Sequence, residues 1–260
     1  MVSGAGAGEL LAEAGTVGAY FAVSTEVPRE LPGDRELVSL AQLYAGHAAL
    51  GQAITHTTDR LGTTEPRVGA SILFQGMAAR LWSPVVAVAL LRRRVPVLAP
   101  GTTWPDLGAS GRPWRTDPAR VVLLAPDGQR DVDASGHLHN DLVHLARLAV
   151  RTVVKTHLTP LKDAVRAEAS LPDALLWGNA ASALVGTLGV LAGARPELTR
   201  EVAAFTETAL RQPPLADAGI VDPPTPSAGG VSTSAFVRRS CCLYYRVPGG
   251  GLCGDCPLAR

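Results

Sequence analysis

The segment ALLWGNAASALVGTLGVLAGA, residues 174–194, decides between two architectures. It is long enough to span a bilayer, for which about twenty apolar residues are needed. Yet it holds Asn179, Ser182, Thr187 and four glycines, with Trp177 near its start. We read it as the buried core helix of a globular protein rather than as a transmembrane span. A second uncharged run, Leu81 to Leu91, is too short to span.

Working outward, helix signals recur along the chain. Ser170 with Asp173 resembles a capping box for the helix just described. Ser83-Pro84 and Thr159-Pro160 each place a hydroxyl before a proline, the pattern of an N-cap followed by N1. Asp34 can cap a helix whose Leu37, Ala41, Tyr44 and Ala48 share one face. Asp141 starts another with Leu142, Leu145, Ala149 and Val153 in register, and Pro196 opens one with Leu198, Val202, Phe205 and Ala209. Glu9 to Glu13 can begin a helix within an otherwise loose Gly/Ala-rich terminus. Tyr20–Val27, Val95–Ala99 and Val121–Ala125 read as strands, and Trp104–Pro118 as a loop. The fold class is therefore a mainly α-helical body with a small β-sheet (α+β), followed by a C-terminal cysteine-rich arm.

The division follows composition. Residues 1–212 form the helical body. Residues 213–234 are dense in Pro, Gly, Ser and Thr and read as a linker. Residues 235–260 carry the arm. The chain of 260 residues has a formal net charge of +1 and 18% charged residues, so no basic surplus points to nucleic acid. Met1–Glu9 lacks the basic start of a secretory signal, and the expectation is a cytoplasmic protein.

All four cysteines lie in that arm: Cys241, Cys242, Cys253 and Cys256, spaced C-C-x10-C-x2-C. A disulfide framework would be spread along the chain; this clustering suits a local metal site. Four thiolates can hold a [2Fe–2S] cluster or a structural zinc ion. The CxxC pair turns both sulfurs to one side, and Gly249-Gly250-Gly251 lets the chain return sharply. The adjacent pair Cys241-Cys242 is unusual, because neighbouring side chains of an extended strand point apart. Both reach one centre only if the backbone bends there, which argues mildly against an ordinary zinc ribbon.

The stretch RRSCCLYYRVPGGGLCGDCPL, residues 238–258, resembles the C-terminal signature of the FhuF-type siderophore ferric iron reductases. SILFQGMAARLWSP (71–84) and LLWGNAAS (175–182) are more weakly similar to the helical body of that family. The resemblance implies a [2Fe–2S] cofactor on Cys241, Cys242, Cys253 and Cys256. It also implies a ferric siderophore, of hydroxamate type, as substrate in the cytoplasm, with transient association with the inner membrane as a further expectation. Alternatives are a zinc-stabilised binding module, or an iron or redox sensor using the same cluster.

Arg238, Arg239 and Arg246 flank the motif, where cations would stabilise a reduced cluster. Tyr244 and Tyr245 could shield it. His137, His139 and His144 match no ligand spacing. Trp82 and Trp177 read as core, while Gln75, Arg80 and Asn179 are weaker candidates for a substrate cleft. Arg92-Arg93-Arg94 complements a helix dipole. Neither G-x-G-x-x-G in a strand–turn–helix context nor GxxxxGK[ST] occurs, so the electron is expected from an external donor, a ferredoxin or a ferredoxin/flavin reductase.

Overall fold

The computed structural model describes residues 6–26, 37–107, 113–126, 139–221, 226–227, 230–231 and 236–259. The chain begins with α1 (Ala7–Gly15), β1 (Val23–Ser24), α2 (Leu40–Tyr44), α3 (Ala49–Arg60) and the long α4 (Pro66–Arg92). Four short strands follow: β2 (Val95–Val97), β3 (Thr103–Trp104), β4 (Trp114–Thr116) and β5 (Val122–Leu124). The helices resume with α5 (His139–Val153), a π-helical turn at Val154–Leu158, α6 (Thr159–Glu168), α7 (Asp173–Ala194) and α8 (Thr199–Leu210). The chain then forms β6 (Gly219–Val221), β7 (Pro226–Ser227), β8 (Gly230–Val231) and β9 (Phe236–Arg238).

The core is the packed pair α4 and α7, around which the other helices gather. Both are long and apolar enough to cross a membrane, with mean hydropathies of 1.4 and 1.5, and about two-thirds of each apolar stretch (67%) is covered by the rest of the molecule. Trp82 of α4 is fully buried and donates its indole N–H to the Ala180 carbonyl of α7 at 3.0 Å. Truncating a buried side chain of this size costs about 3–5 kcal/mol. Gly69 allows the close approach of α3: a Cβ there would collide with Thr58 Oγ1 and lie 2.9 Å from the Ile54 carbonyl oxygen.

The strands are accessory. β1 pairs parallel with β4, and β3 antiparallel with β4. β2 and β5 pair antiparallel with Val95 opposite Leu124, at the two runs read as strands from sequence. β7 pairs with β8. β6 pairs with β9, so the segment read as a linker supplies the strand that anchors the start of the arm.

Several helix starts differ from the sequence reading. Pro84 lies inside α4, not at its start; the helix opens at Pro66, and Ser83 turns its hydroxyl back to the Ala79 carbonyl at 2.7 Å. The 37–48 stripe is divided: α2 is capped by Ser39 with Gln42, and Gly46, at φ +86°, separates it from α3. Asp34 lies outside the described residues. Thr159-Pro160 does not begin a separate helix, because α5 runs through the π turn into α6; the i→i+5 pattern is rare and occurs mostly as such single turns inside α-helices. Pro172, not Ser170, precedes α7, and Asp173 is engaged by Lys162 at 3.1 Å and Arg166 at 2.7 Å. The 104–118 loop contains β4. The α5 stripe is buried as read, and so are Val202, Phe205 and Ala209 of α8; Pro196–Leu198 form a 3₁₀ turn before α8, with Leu198 half-buried. Arg92 pairs with Glu13 at 2.6 Å rather than merely facing the helix dipole.

His157, in the π turn, is buried and meets the Tyr44 hydroxyl at 3.0 Å, while its ring also bonds the Leu98 backbone. Burial pushes its pKa down to about 4, and burial likewise raises the Tyr44 phenol. The unfolded chain, with His157 near 6.5, therefore binds the proton first as pH falls. Stability from this site is full above about pH 6.5 and lost as pH falls through about 4, on the order of 3 kcal/mol in all. Denaturant unfolding at about pH 7 and about pH 4.5 should show that loss, and His157→Gln should flatten it. An equal slope in both proteins would place the acid sensitivity elsewhere.

Candidate metal centre

The arm is fixed to the body before the first cysteine is reached. In β9, Phe236 is buried in the common core and Val237 pairs with Ile220. Gly219 is required opposite, since a Cβ there would enter the Phe236 ring. Ser240 then donates to the Ala174 carbonyl at the start of α7, at 2.8 Å. Gly178 leaves room for this crossing, because a Cβ at that position would strike the Ser240 hydroxyl.

The chain turns sharply just after the two adjacent cysteines. Leu243 has φ +69° and ψ 4°, a left-handed conformation uncommon outside glycine. The Leu243 amide donates to Cys241 Sγ at 3.4 Å. Cys242 is buried and Cys241 half-buried. A 3₁₀ turn at Tyr244–Arg246 follows, and Gly249 and Gly251, at φ +72° and +75°, bring the chain back to Cys253. Between them, a Cβ on Gly250 would lie 2.9 Å from the Tyr244 carbonyl oxygen. The CxxC loop is closed by the Cys256 amide on the Cys253 carbonyl at 3.2 Å, and the Arg238 amide holds the Asp255 carbonyl at 3.1 Å.

All four cysteines, within residues 241–256, are free. Cys242 and Cys253 Sγ lie 3.6 Å apart. Two thiolates on one tetrahedral metal, each at about 2.3 Å, sit about 3.8 Å from each other. Cys241 lies within electrostatic reach of both Cys242 and Cys256. Among the described residues no three His, Cys, Asp or Glu side chains converge on a point fit for one metal ion. Pairs of thiolates are what a two-iron cluster uses, two on each iron, and the residues present fit that group.

Burial, together with the neighbouring Cys242 thiol and Asp255, pushes the Cys253 thiol up to about 12, against the lowering influence of Arg238. Burial also raises Cys241. Such crowded thiols release their protons when a cationic metal centre binds, since coordination deprotonates a thiol outright.

Beneath the cysteines is a buried polar chain. Arg238 donates to Asn179 Oδ1 at 2.7 Å, to Cys253 Sγ at 2.7 Å and to Asp255 Oδ1 at 2.9 Å. Asn179 donates to the Ser71 carbonyl and hydroxyl, both at 2.9 Å. Ser71 donates to the Cys242 carbonyl at 2.7 Å. Helix α4, helix α7 and both halves of the cysteine motif are thereby joined in one network.

Beside the cysteines a cleft of about 600 Å³ opens between α4 and α7, with the turn 18–21 as its third wall. Gln75, Gly76 and Ala79 line one side, and Ser182, Gly186 and Val190 the other. Cys242, Cys253 and Tyr244 close its end. Gln75 donates to Ser182 at 3.1 Å across the helix pair.

The sequence candidates separate accordingly. Of the three arginines only Arg238 bonds a cysteine; Arg239 faces Asp217 at 3.6 Å, and Arg246 faces Glu65 at 2.7 Å. Tyr244 lines the cleft, whereas Tyr245 is exposed beside Arg246. Asn179 serves the network rather than the cleft, Gln75 lines the cleft, and Arg80 stacks over Tyr20 at 4.6 Å. Trp82 and Trp177 pack with the core. His144 is exposed on α5, and His137 lies outside the described residues, as does the side chain of His139. Ser71 and Asp255 were not singled out from sequence. Their signal was faint: a serine inside an apolar helix, and an acid inside a CxxC loop.

Replacing Asn179 by leucine keeps the volume and removes the junction of the network, leaving Arg238 Nη1 without its acceptor. Hydrogen bonds to charged groups contribute about 1.5–3 kcal/mol each, and Asn179→Leu should destabilise the protein by at least that much in denaturant unfolding. A change below ~0.5 kcal/mol, the range of surface substitutions, would show that the network carries no weight.

No curated protein matches the chain significantly. The family model of the FhuF 2Fe-2S C-terminal domain matches residues 238–258, the span from Arg238 through all four cysteines to Leu258. The cysteine arm thus resembles that domain, and its cofactor is a [2Fe–2S] cluster.

Proposed function

We propose that the chain is a ferric-siderophore reductase, and that Cys241, Cys242, Cys253 and Cys256 are the ligands of its cluster. The observation that carries this reading is the position of Cys242 and Cys253 in the end wall of a cleft large enough for a small chelate. The bound cluster supplies one electron at a time.

The protein's own groups do the rest. The small side chains of Gly76, Ala79, Ser182 and Gly186 leave the cleft open, and the turn 18–21 covers it on one side. Gln75 and Ser182 offer polar atoms for orienting a ligand. Among the described residues, the cleft lining has no Asp, Glu, Lys, Arg or His. Such a surface favours a chelate of low net charge over a highly anionic one, because uncompensated charge is costly to desolvate. Hydroxamate complexes of Fe(III) meet that requirement.

The substrate chemistry closes the argument. Hard oxygen donors bind the more highly charged Fe(III) more tightly than Fe(II), so adding one electron, Fe(III) to Fe(II), loosens the chelate and lets the metal leave. The electron comes from outside, through a ferredoxin or a ferredoxin/flavin reductase, and the reaction takes place in the cytoplasm.

Serine at any one of the four cysteines should abolish cluster loading, read as iron and acid-labile sulfide per chain. Gly76→Leu or Gly186→Phe would fill the cleft, where neither glycine has a neighbour within 4 Å. These variants should keep the visible spectrum and their reactivity toward small ferricyanide. They should slow ferric hydroxamate reduction by about tenfold or more, ~1.4 kcal/mol of lost transition-state binding; release of Fe(II) to a ferrous-specific dye reads the rate. Unchanged rates in both would remove the cleft from the reaction, and stoichiometric zinc in the wild type would remove the reductase.

A further inference from the structure

Arg238 is the one arginine among the described residues that is buried, and its side chain has no exposed surface at all. A guanidinium is costly to bury unless its charge and donors are matched. Here the matching is incomplete for a metal-free site. Nη1 is bound by neutral Asn179, and Nη2 is shared by Cys253 Sγ and the Asp255 carboxylate. Nε–H is buried with no protein acceptor. A single carboxylate, 19% exposed, is the cation's only ion-pair partner among the described residues. The arrangement makes electrostatic sense when the neighbouring sulfurs are thiolates bound to a centre of net negative charge.

Position adds to this. Asn179 fixes the fork from α7, and Ser71 fixes Asn179 from α4, so the guanidinium cannot swing away from Cys253. Hydrogen bonds to the sulfurs and local net charge are both levers on the potential of an iron–sulfur centre. Reduction adds one negative charge beside this held cation. Asp255, on the same guanidinium, opposes it with a charge of the other sign.

We propose that Arg238 is the positioning residue that sets the reduction potential of the centre: the guanidinium held on Cys253 by Asn179 raises it, and Asp255 offsets part of that rise. This rests on the four-cysteine ligand set proposed above. It does not depend on which chelate is reduced.

The test is a redox titration of full-length, cluster-loaded protein, followed by visible absorption and by the electron paramagnetic resonance signal of the reduced form. Arg238→Met should lower the midpoint by at least a tenfold change in the one-electron equilibrium, which is 59 mV. Arg238→Lys, which retains charge but loses the fork, should fall between that variant and the wild type. Asp255→Asn, close in shape, should shift the midpoint upward. A purely structural role for the pair would produce cluster loss or no shift, not shifts of opposite sign. If Arg238→Met fails to load, Arg238→Lys and Asp255→Asn decide the matter with the same signs. An Asp255→Asn midpoint that is unchanged or lower overturns the proposal, as does an Arg238→Lys midpoint at or above the wild type. Wild-type protein that loads no iron and sulfide would instead remove the ligand set itself.

Discussion

The structure depends on one buried polar chain, Cys242 carbonyl to Ser71 to Asn179 to Arg238 to Cys253 and Asp255. Ser71 and Asn179 are each fully buried within the two long apolar helices α4 and α7. A buried polar group is tolerated only when hydrogen-bonded, and the low local dielectric strengthens each bond while making any gap expensive. The arm can therefore satisfy the two helices, and be satisfied by them, in only one register. Apolar packing by Phe236, Leu243 and Val247 adds affinity between arm and body, but such packing is non-directional. The polar chain is what places the sulfurs.

The same pair of helices makes the cleft, and small residues let one element do both tasks. On α7, Leu176, Ala180, Leu184, Leu188 and Leu191 pack inward, while Ser182, Gly186 and Val190 follow one another at four-residue spacing along the cleft. A helix repeats its face every three to four residues, so the cleft row and the core rows run side by side. The mixed composition that distinguishes residues 174–194 from a membrane span follows from this double use: leucines and alanines for α4, glycines and hydroxyls for the open side, and one asparagine for the arm.

Much of this was legible in the sequence, and the part that was not has a physical reason. The cysteine spacing, the bend required at Cys241-Cys242 and the glycine return are local, and local constraints are written in consecutive residues. The core stripes of α5 and α8 were legible for the same reason. The start of α4 was not. Pro84 in a helix interior removes a hydrogen bond and usually marks a boundary, yet burial of nearly every side chain from Leu81 to Leu90 outweighs that cost. The separation of α2 from α3 involves Gly46, at positive φ, and His47, whose ring accepts from the Ala49 amide. The network was least legible, because it joins positions 71, 179, 238 and 255, and no periodicity links them. The two upstream segments that resembled the family are nevertheless the ones that contain Ser71, Gln75, Asn179 and Ser182.

The division of the chain into a body, a linker and an arm describes composition better than it describes mechanics. β6 lies in the Pro/Gly-rich segment and pairs with β9, so Gly219–Val221 and Phe236–Arg238 form a hydrogen-bonded ribbon at the entrance to the cysteine motif. Ser240 and Arg246 make further ties, to α7 and to Glu65 at the foot of α4. The reductase proposed above would gain from this, because a sulfur pair that shifted by one helical turn would leave the cleft. The left-handed Leu243 is the local cost of the arrangement. Non-glycine residues in such conformations persist where the surroundings over-determine them, and they gather at functional sites. At Leu243 the surroundings are the amide bond to Cys241, the buried leucine side chain and the Cys242 carbonyl held by Ser71. The rest of the protein thereby holds in place the turn by which the chain leaves Cys242 and heads back toward Cys253.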